Sequence, residues 1–150
     1  LPRAAGDALA GAAMITEFQG EYRWLSNFWP VTIQLDALIY PTVEHAYQAA
    51  KTLKHDERLI IQNCKTPGKA KAQARHLTQR EGWKAVKDAV MTSLIRQKFS
   101  HEPLRTRLLA TGSQEIQEGN CWNDTYWGVC RGVGQNKLGV IIMQIREELS

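Results

Sequence analysis

Apolar and polar positions in the first third of the chain predict a hairpin that leads into a helix. In the run VTIQLDALIYP, apolar side chains recur at every second residue from Val31, which is the period of a half-buried β-strand. The step from Asp36 to Ala37 interrupts that run and predicts a tight turn between two strands. The next segment, VEHAYQAAKTLK, is interpreted as a helix, and Thr42 precedes it as a candidate N-cap. We therefore expect an antiparallel pair of strands followed directly by a capped helix.

Helical patterns dominate the remainder of the chain. DERLIIQNC predicts a short helix, and TPGKAKAQARHL predicts another, with Thr66 as its N-cap and Pro67 at its first helical position. Apolar residues spaced three and four apart predict the longest amphipathic helix over residues 83–99. PLRTRLLAT is expected to form a brief helix, whereas ITEFQG and SQEIQEGN are expected to form short strands.

The last segment, KLGVIIMQIREEL, is interpreted as a helix or as a strand followed by a helix. Its expected buried residues are Val140, Ile141, Ile142 and Ile145. Taken together, these elements predict an α+β fold: a mostly helical, compact single domain with a small antiparallel sheet.

Composition places the chain among ordinary globular domains. Of its 150 residues, 43% are apolar and 23% are charged, and no apolar run approaches the ~20 residues that cross a bilayer. Residues 1–13 are rich in Ala and Gly and lack the layout of a signal peptide. We interpret residues 1–13 as an artificial leader or a disordered tail, and residues 14–150 as the folded domain. We expect a monomer without membrane contact.

Cysteine usage and charge narrow the class of protein. The three cysteines have no paired spacing, and the chain contains no CxxC motif, so we expect a reducing, cytoplasmic compartment and no structural metal site. The net charge of +4 fits an anionic small ligand as well as it fits nucleic acid. The basic run from Lys65 to Lys87 is interpreted as either a solvated surface or a contact to phosphate or nucleic acid.

Polar side chains line one face of the helix that follows Thr42. They recur at positions i, i+3, i+4 and i+7, which lie on the same side of an α-helix. These residues are Glu44, Tyr47, Gln48 and Lys51. The adjoining apolar positions include Ala46 and Ala50, whose small size favours close packing. The polar face is therefore either a buried binding surface or an ordinary solvated one.

A second candidate region precedes the last helix, where NDTYWGVCRGVGQNKLG combines glycines with aromatic, basic and acidic residues. Gly132 and Gly134 form either an anion-binding nest or a simple turn. Aromatic residues gather both here and in RWLSNFWP, which is typical of a slot for a planar ring and is also compatible with core packing. We expect this segment to form one wall of a pocket that faces the helix after Thr42.

The ordered motifs resemble those of the NADAR family of YbiA-like proteins. S-N-F is followed by P-T-x-E-H-x-Y-Q-A-x-K, then by the Trp83 helix, and then by N-D-x-Y-W-G. The resemblance extends from about Ile15 to Leu149. It implies a compact α+β fold with many helices and an enzyme that hydrolyses an N-glycosidic bond at ribose C1′. Family members are linked to phosphorylated early intermediates of riboflavin synthesis and to ADP-ribose attached to guanine or related NAD derivatives.

The resemblance also assigns roles to particular residues. It places the catalytic acid on Glu44. The matching ligand-lining positions are Ser26, Asn27, Phe28, Gln48, Lys51, Trp83, Asp124 and Trp127. Asp124 is a candidate second carboxylate, and Arg131 is a candidate phosphate ligand beside Lys51. No metal and no cofactor are implied.

Three functions remain open on the sequence. The first is an N-glycosidase that acts on a ribosyl or ADP-ribosyl substrate, either free or attached to nucleic acid. The second is a non-catalytic binding module for ADP-ribose or NAD derivatives. The third is a nucleic-acid-binding protein that uses the basic run. Glu44 favours the enzyme, because a module that only binds has no need of a carboxylate beside C1′.

Overall fold

The computed structural model describes residues 14–150, so the leader predicted over residues 1–13 lies outside the described residues. The described chain divides into two units, one formed by residues 25–101 and the other by residues 14–24 together with 102–150. The strands are β1 (Pro30–Leu35), β2 (Leu38–Thr42), β3 (Gly119–Asn120) and β4 (Val129–Cys130). The α-helices are α1 (Val43–Ala49), α2 (His55–Gln62), α3 (Pro67–Gln73), α4 (Trp83–Lys98), α5 (Leu104–Ala110) and α6 (Lys137–Leu149). The predicted α+β class is confirmed.

The predicted hairpin opens the unit of residues 25–101. β1 and β2 pair in antiparallel register, with Leu35 opposite Leu38. Asp36 adopts a left-handed backbone with φ of 53°, which Asp tolerates better than most residues. Its carboxylate forms an ion pair with Arg58 of α2, so the turn is tied to the helix beneath it.

The central element of this unit is α1. Thr42 caps it as predicted, because its Oγ1 accepts a hydrogen bond from the backbone N–H of His45 at 3.0 Å. Every residue of α1 is buried, since the hairpin, α2, α3 and α4 all pack against it. The helix ends at Ala49, earlier than the sequence pattern suggests. A tighter turn then carries the chain to Thr52, whose hydroxyl accepts a hydrogen bond from the N–H of Lys54 at 3.1 Å.

The other predicted helices of this unit form close to their expected bounds. Thr66 caps α3 by accepting a hydrogen bond from the N–H of Lys69, and Pro67 occupies the first turn. Among the described residues, α4 is the longest helix, and Gly82 enters it with a left-handed backbone. Since α4 contacts both α1 and β1, one of its faces is buried, and that face ends in Lys98.

The second unit combines short strands with two packed helices. Ile15 forms a parallel bridge with Ile116, so the two predicted strands at ITEFQG and SQEIQEGN shorten to this contact and to β3. β3 pairs with β4 in parallel, and α5 packs against α6. The terminal segment is helical throughout, but the predicted burial of Val140 is wrong, because it is 43% exposed. The turn angle of a helix places it on the opposite side from the buried Ile141 and Ile145.

Two further observations concern the chain as a whole. Over residues 14–150, no helix is long and apolar enough to span a bilayer. The three cysteines are free thiols: Cys130 is buried, whereas Cys121 is exposed and Cys64 is partly so.

Candidate functional site

The polar face of α1 contains a buried carboxylate that is held by an amide. Glu44 is 8% exposed and Gln48 is 4% exposed, so the solvated alternative for this face does not hold. The Nε2 of Gln48 donates a hydrogen bond to Oε2 of Glu44 at 2.6 Å, across the i, i+4 spacing of the helix. Because both groups stand on a capped helix inside the unit, the carboxylate occupies a defined position.

The loop of residues 26–28 contacts the first turn of this helix. The backbone carbonyl of Asn27 accepts a hydrogen bond from the N–H of Glu44 at 3.0 Å, which satisfies a donor that the helix itself leaves unpaired. The side chain of Asn27 is buried, and its Nδ2 lies 3.5 Å from the sulfur of Met91 on α4. Ser26 Oγ accepts a hydrogen bond from the N–H of Phe28 at 3.0 Å, and the Phe28 ring is 43% exposed.

Two buried oxygens in this region have no hydrogen-bond donor. They are Oδ1 of Asn27 and Oε1 of Gln48. An acceptor left unpaired inside a protein costs about 1–3 kcal/mol, so such atoms call for an explanation. Both residues form hydrogen bonds with Glu44: Asn27 accepts one from its backbone N–H, and Gln48 donates one to its carboxylate. This arrangement suits a ligand that brings O–H or N–H donors.

An aromatic and cationic group lies at the far end of α1. The rings of Tyr47 and Trp83 are 5.4 Å apart between centroids, so Trp83 joins this cluster. The Nζ of Lys51 lies 5.5 Å from the Tyr47 ring. Burial lowers the pKa of Lys51; Glu44 opposes that fall, while Lys71 and Lys87 add to it. Positive charge therefore gathers around a half-buried ammonium in the turn that follows the helix of Glu44.

Asp124, in the other unit, organises its own loop. Its Oδ1 accepts hydrogen bonds from the backbone N–H groups of Tyr126 at 3.1 Å and Trp127 at 2.9 Å, which is the geometry of an Asx turn. Its own N–H donates to Oδ1 of Asn120 at 3.1 Å. The rings of Tyr126 and Trp127 meet edge to face, with centroids 4.9 Å apart. This carboxylate thus holds Trp127 in place, whatever else it does.

The glycine-rich stretch that follows forms a turn. Arg131 and Gly132 both have positive φ angles, and the residues on either side of them, Cys130 and Val133, exchange backbone hydrogen bonds. The N–H of Val133, which a nest at Gly132 and Gly134 would offer to an anion, is therefore used within the turn. Arg131 is exposed, and its guanidinium donates a hydrogen bond to Oδ1 of Asn123 at 3.0 Å.

The structure brings most of the predicted site residues together within their own units. The cluster of residues 25–101 contains Ser26, Asn27, Phe28, Glu44, Gln48, Lys51 and Trp83. Asp124 and Trp127 share one turn in the other unit. The expectation that the two regions face each other across a pocket stays a prediction. Sequence reasoning missed Lys98, although a lysine on the same helical stripe as Met91 and Ile95 is a detectable signal.

Comparisons with known proteins identify the family and the fold of the chain. The family model described as the NADAR domain matches residues 15–150. N-glycosidase YbiA of Escherichia coli strain K12 is 38% identical over 136 residues, which cover 87% of this chain and 83% of that protein. A riboflavin biosynthesis protein of Vibrio vulnificus is 38% identical over 134 residues, covering 84% of this chain and 35% of that protein. The NMR structure of E. coli YbiA matches with a TM-score of 0.79 at 36% identity, covering 91% of this chain and 84% of that chain.

Proposed function

Because the chain belongs to the NADAR domain family and is a hydrolase of N-glycosyl bonds, we propose that it cleaves the bond between ribose C1′ and a base nitrogen, with Glu44 as the catalytic carboxylate. The substrate is a ribosylated base that also carries phosphate. Two sources fit this chemistry: ADP-ribosylated guanine, and a phosphorylated early intermediate of riboflavin synthesis. The names of relatives such as the Vibrio vulnificus protein support the second source.

One observation carries the proposal: the buried Glu44 is hydrogen-bonded to two residues, Asn27 and Gln48, that each have a buried oxygen without a donor. Glu44 is held by hydrogen bonds to Gln48 and to the backbone of Asn27. Oδ1 of Asn27 and Oε1 of Gln48 accept no hydrogen bond. Ribose hydroxyls are donors of the right kind, and bonds to them would satisfy both oxygens. A site of this composition favours a sugar ring beside the carboxylate.

The chemistry follows from the charge that develops on the sugar. As the C1′–N bond breaks, its electron pair leaves with the base nitrogen and the ribose becomes oxocarbenium-like. A carboxylate close to C1′ stabilises that positive charge, or takes a proton from the attacking water. The water oxygen then bonds to C1′, and the departing nitrogen gains a proton. For either role the carboxylate is held by the hydrogen bond from Gln48.

The remaining site residues are proposed to bind the rest of the substrate. Lys51 holds phosphate, since an ammonium near other lysines is a favourable site for an anion. Trp83 lines the same region. The other proposed ligand contacts are Ser26, Phe28, Trp127 and Arg131, with Asp124 orienting the ribose or the water.

A product assay by mass spectrometry tests the proposal. Wild type and the Glu44→Gln variant would be incubated with ADP-ribosylated guanosine and, separately, with a phosphoribosylated aminopyrimidine. The amide keeps the shape and the hydrogen bond to Gln48 but removes the charge, so we expect turnover to fall by about 100-fold or more. Glu81→Gln is the matched control, because Glu81 is exposed in the same unit.

Three outcomes separate the readings. Loss of one substrate with wild type and with Glu81→Gln, but not with Glu44→Gln, supports the scheme and identifies the source of the ribosyl group. Equal turnover by all three proteins refutes the role of Glu44. If neither substrate is cleaved but ADP-ribose raises the melting temperature, the chain acts as a binding module.

A further inference from the structure

Lys98 is a buried cation at the end of α4 that the scheme above does not use. Its side chain is 0% exposed, and its Nζ donates a hydrogen bond to the backbone carbonyl of Ser26 at 2.7 Å. The same nitrogen lies 5.2 Å from the centroid of the Phe99 ring. Burial lowers the pKa of Lys98 to about 7, which shows how unfavourable its surroundings are for charge.

Packing alone does not explain a lysine at this position, because burying its ammonium is energetically unfavourable. Buried ammonium groups are rare unless they are paired, and replacing buried charges by apolar side chains is often neutral or stabilising. The acceptor of Lys98 is a neutral carbonyl rather than a carboxylate. An apolar side chain at this position could not donate a hydrogen bond to the carbonyl of Ser26. This hydrogen bond to the loop of residues 26–28 therefore distinguishes Lys98 from an apolar residue.

That loop leads directly to the catalytic carboxylate. Ser26 precedes Asn27, whose carbonyl accepts the N–H of Glu44 and whose side chain contacts Met91. Met91 and Lys98 are seven residues apart on α4, so they project from the same face. Helix α4 thus holds the loop at two points, by a sulfur contact at Asn27 and by a charged donor at Ser26.

We propose that Lys98 is a positioning residue of the N-glycosidase site, which holds the loop of residues 26–28 so that Asn27 and Glu44 keep their relative places. The catalytic consequence rests on the proposed function. The structural half of the inference, that Lys98 controls the contact between Asn27 and Glu44, does not require any turnover.

Amide hydrogen exchange measured by NMR tests the structural half. In Lys98→Met the carbonyl of Ser26 loses its donor, and we expect the Glu44 amide to exchange about tenfold faster or more, because its acceptor is no longer held. Lys54→Met removes the same charge from an exposed position in the same unit and should leave the Glu44 amide unchanged. The amide of Val129, bonded to Glu118 in the other unit, is the internal reference.

Steady-state kinetics test the catalytic half with whichever of the two ribosylated probes wild type cleaves. We expect Lys98→Met to lower kcat/KM by about 10- to 100-fold through misplacement of the site, while its melting temperature stays at or above that of wild type. Lys98→Gln retains a neutral N–H donor on a shorter side chain and should recover part of the loss. Because part of the effect of Lys98 passes through the side chain of Asn27, adding Lys98→Met to Asn27→Ala should cost less than the sum of the two single losses.

Each outcome decides the question. Faster exchange at Glu44 in Lys98→Met but not in Lys54→Met, with non-additive kinetics, supports the inference. Unchanged exchange at Glu44, or fully additive losses in the double variant, overturns it. If Lys98→Met does not fold, the same two measurements on Lys98→Gln decide. If wild type cleaves neither probe, the proposed function fails. The exchange experiment alone then decides whether Lys98 holds the contact between Asn27 and Glu44.

Discussion

Replacing Lys98 by Met should change how stability depends on pH. In the unfolded chain Lys98 has the ordinary lysine pKa of 10.5, whereas burial lowers it to about 7 in the folded protein. Below pH 7 both states carry the charge, and the folded state bears the full cost of burying it. Between pH 7 and 10.5 only the unfolded state stays protonated, so stability rises with pH across this window.

The size of the effect follows from the two pKa values. At about 1.4 kcal/mol per pKa unit, the lowered pKa of Lys98 costs the folded state close to 5 kcal/mol at pH 6, where the buried amine is charged. At pH 9 the cost is about 2 kcal/mol, because the folded state has given up a proton that the unfolded chain keeps. The Met variant bears no such cost at any pH. Its free energy of unfolding, relative to wild type, should therefore fall by about 2–3 kcal/mol between pH 6 and pH 9.

Urea unfolding of both proteins across this pH range measures the difference. Subtracting the two curves cancels the other titrating groups, including Lys51, whose pKa is also lowered by burial. Losing the donor to Ser26 changes the difference in free energy of unfolding by the same amount at every pH. It therefore adds no pH dependence to that difference. A difference that stays flat from pH 6 to pH 9 would mean that the Lys98 ammonium is not buried as the structure has it, and the reasoning would fail.

Two further predictions concern hydrogen bonds that place the site. Thr42→Ala should lower the free energy of unfolding by about 2 kcal/mol, because it removes the cap of α1 and a buried partner of His45 Nδ1 at 2.7 Å. Thr42→Ser keeps the oxygen and should lose much less; equal losses in urea unfolding would count against the cap. Asp124→Ala should lower stability by about 1–2 kcal/mol, since two backbone N–H groups lose their acceptor. Asp124→Asn keeps an oxygen for them, so a Tm as low as that of the Ala variant would contradict this role.

Local chemistry made the start of the site predictable from sequence. The turn at Asp36 and the caps at Thr42 and Thr66 each depend on a few neighbouring residues, and all three form as expected. The face that contains Glu44 and Gln48 was also predictable, because helical spacing alone brings their side chains together.

Non-local features were not accessible in the same way. β3 and β4 have two residues each, which is too few to show a hydrophobic period. They are also separated in sequence by the loop that contains Asp124. Nothing in the sequence pattern distinguishes an Asp that closes a turn from one that acts on substrate, so the two hydrogen bonds of Asp124 appear only in the structure. The early end of α1 at Ala49 depends on the turn at Thr52, which a helical pattern does not register.

The division of the chain into two units has a consequence for its synthesis. Residues 25–101 are contiguous, so this unit, which contains Glu44, has all of its residues once residue 101 has left the ribosome. The other unit must wait, because Ile15 bonds to Glu115 and Gln117, and closing a loop of about 100 residues is entropically slow. Helix α1 is therefore expected to be in place before the loop of Asp124 and Trp127 exists, and pauses in translation should affect the second unit more than the first.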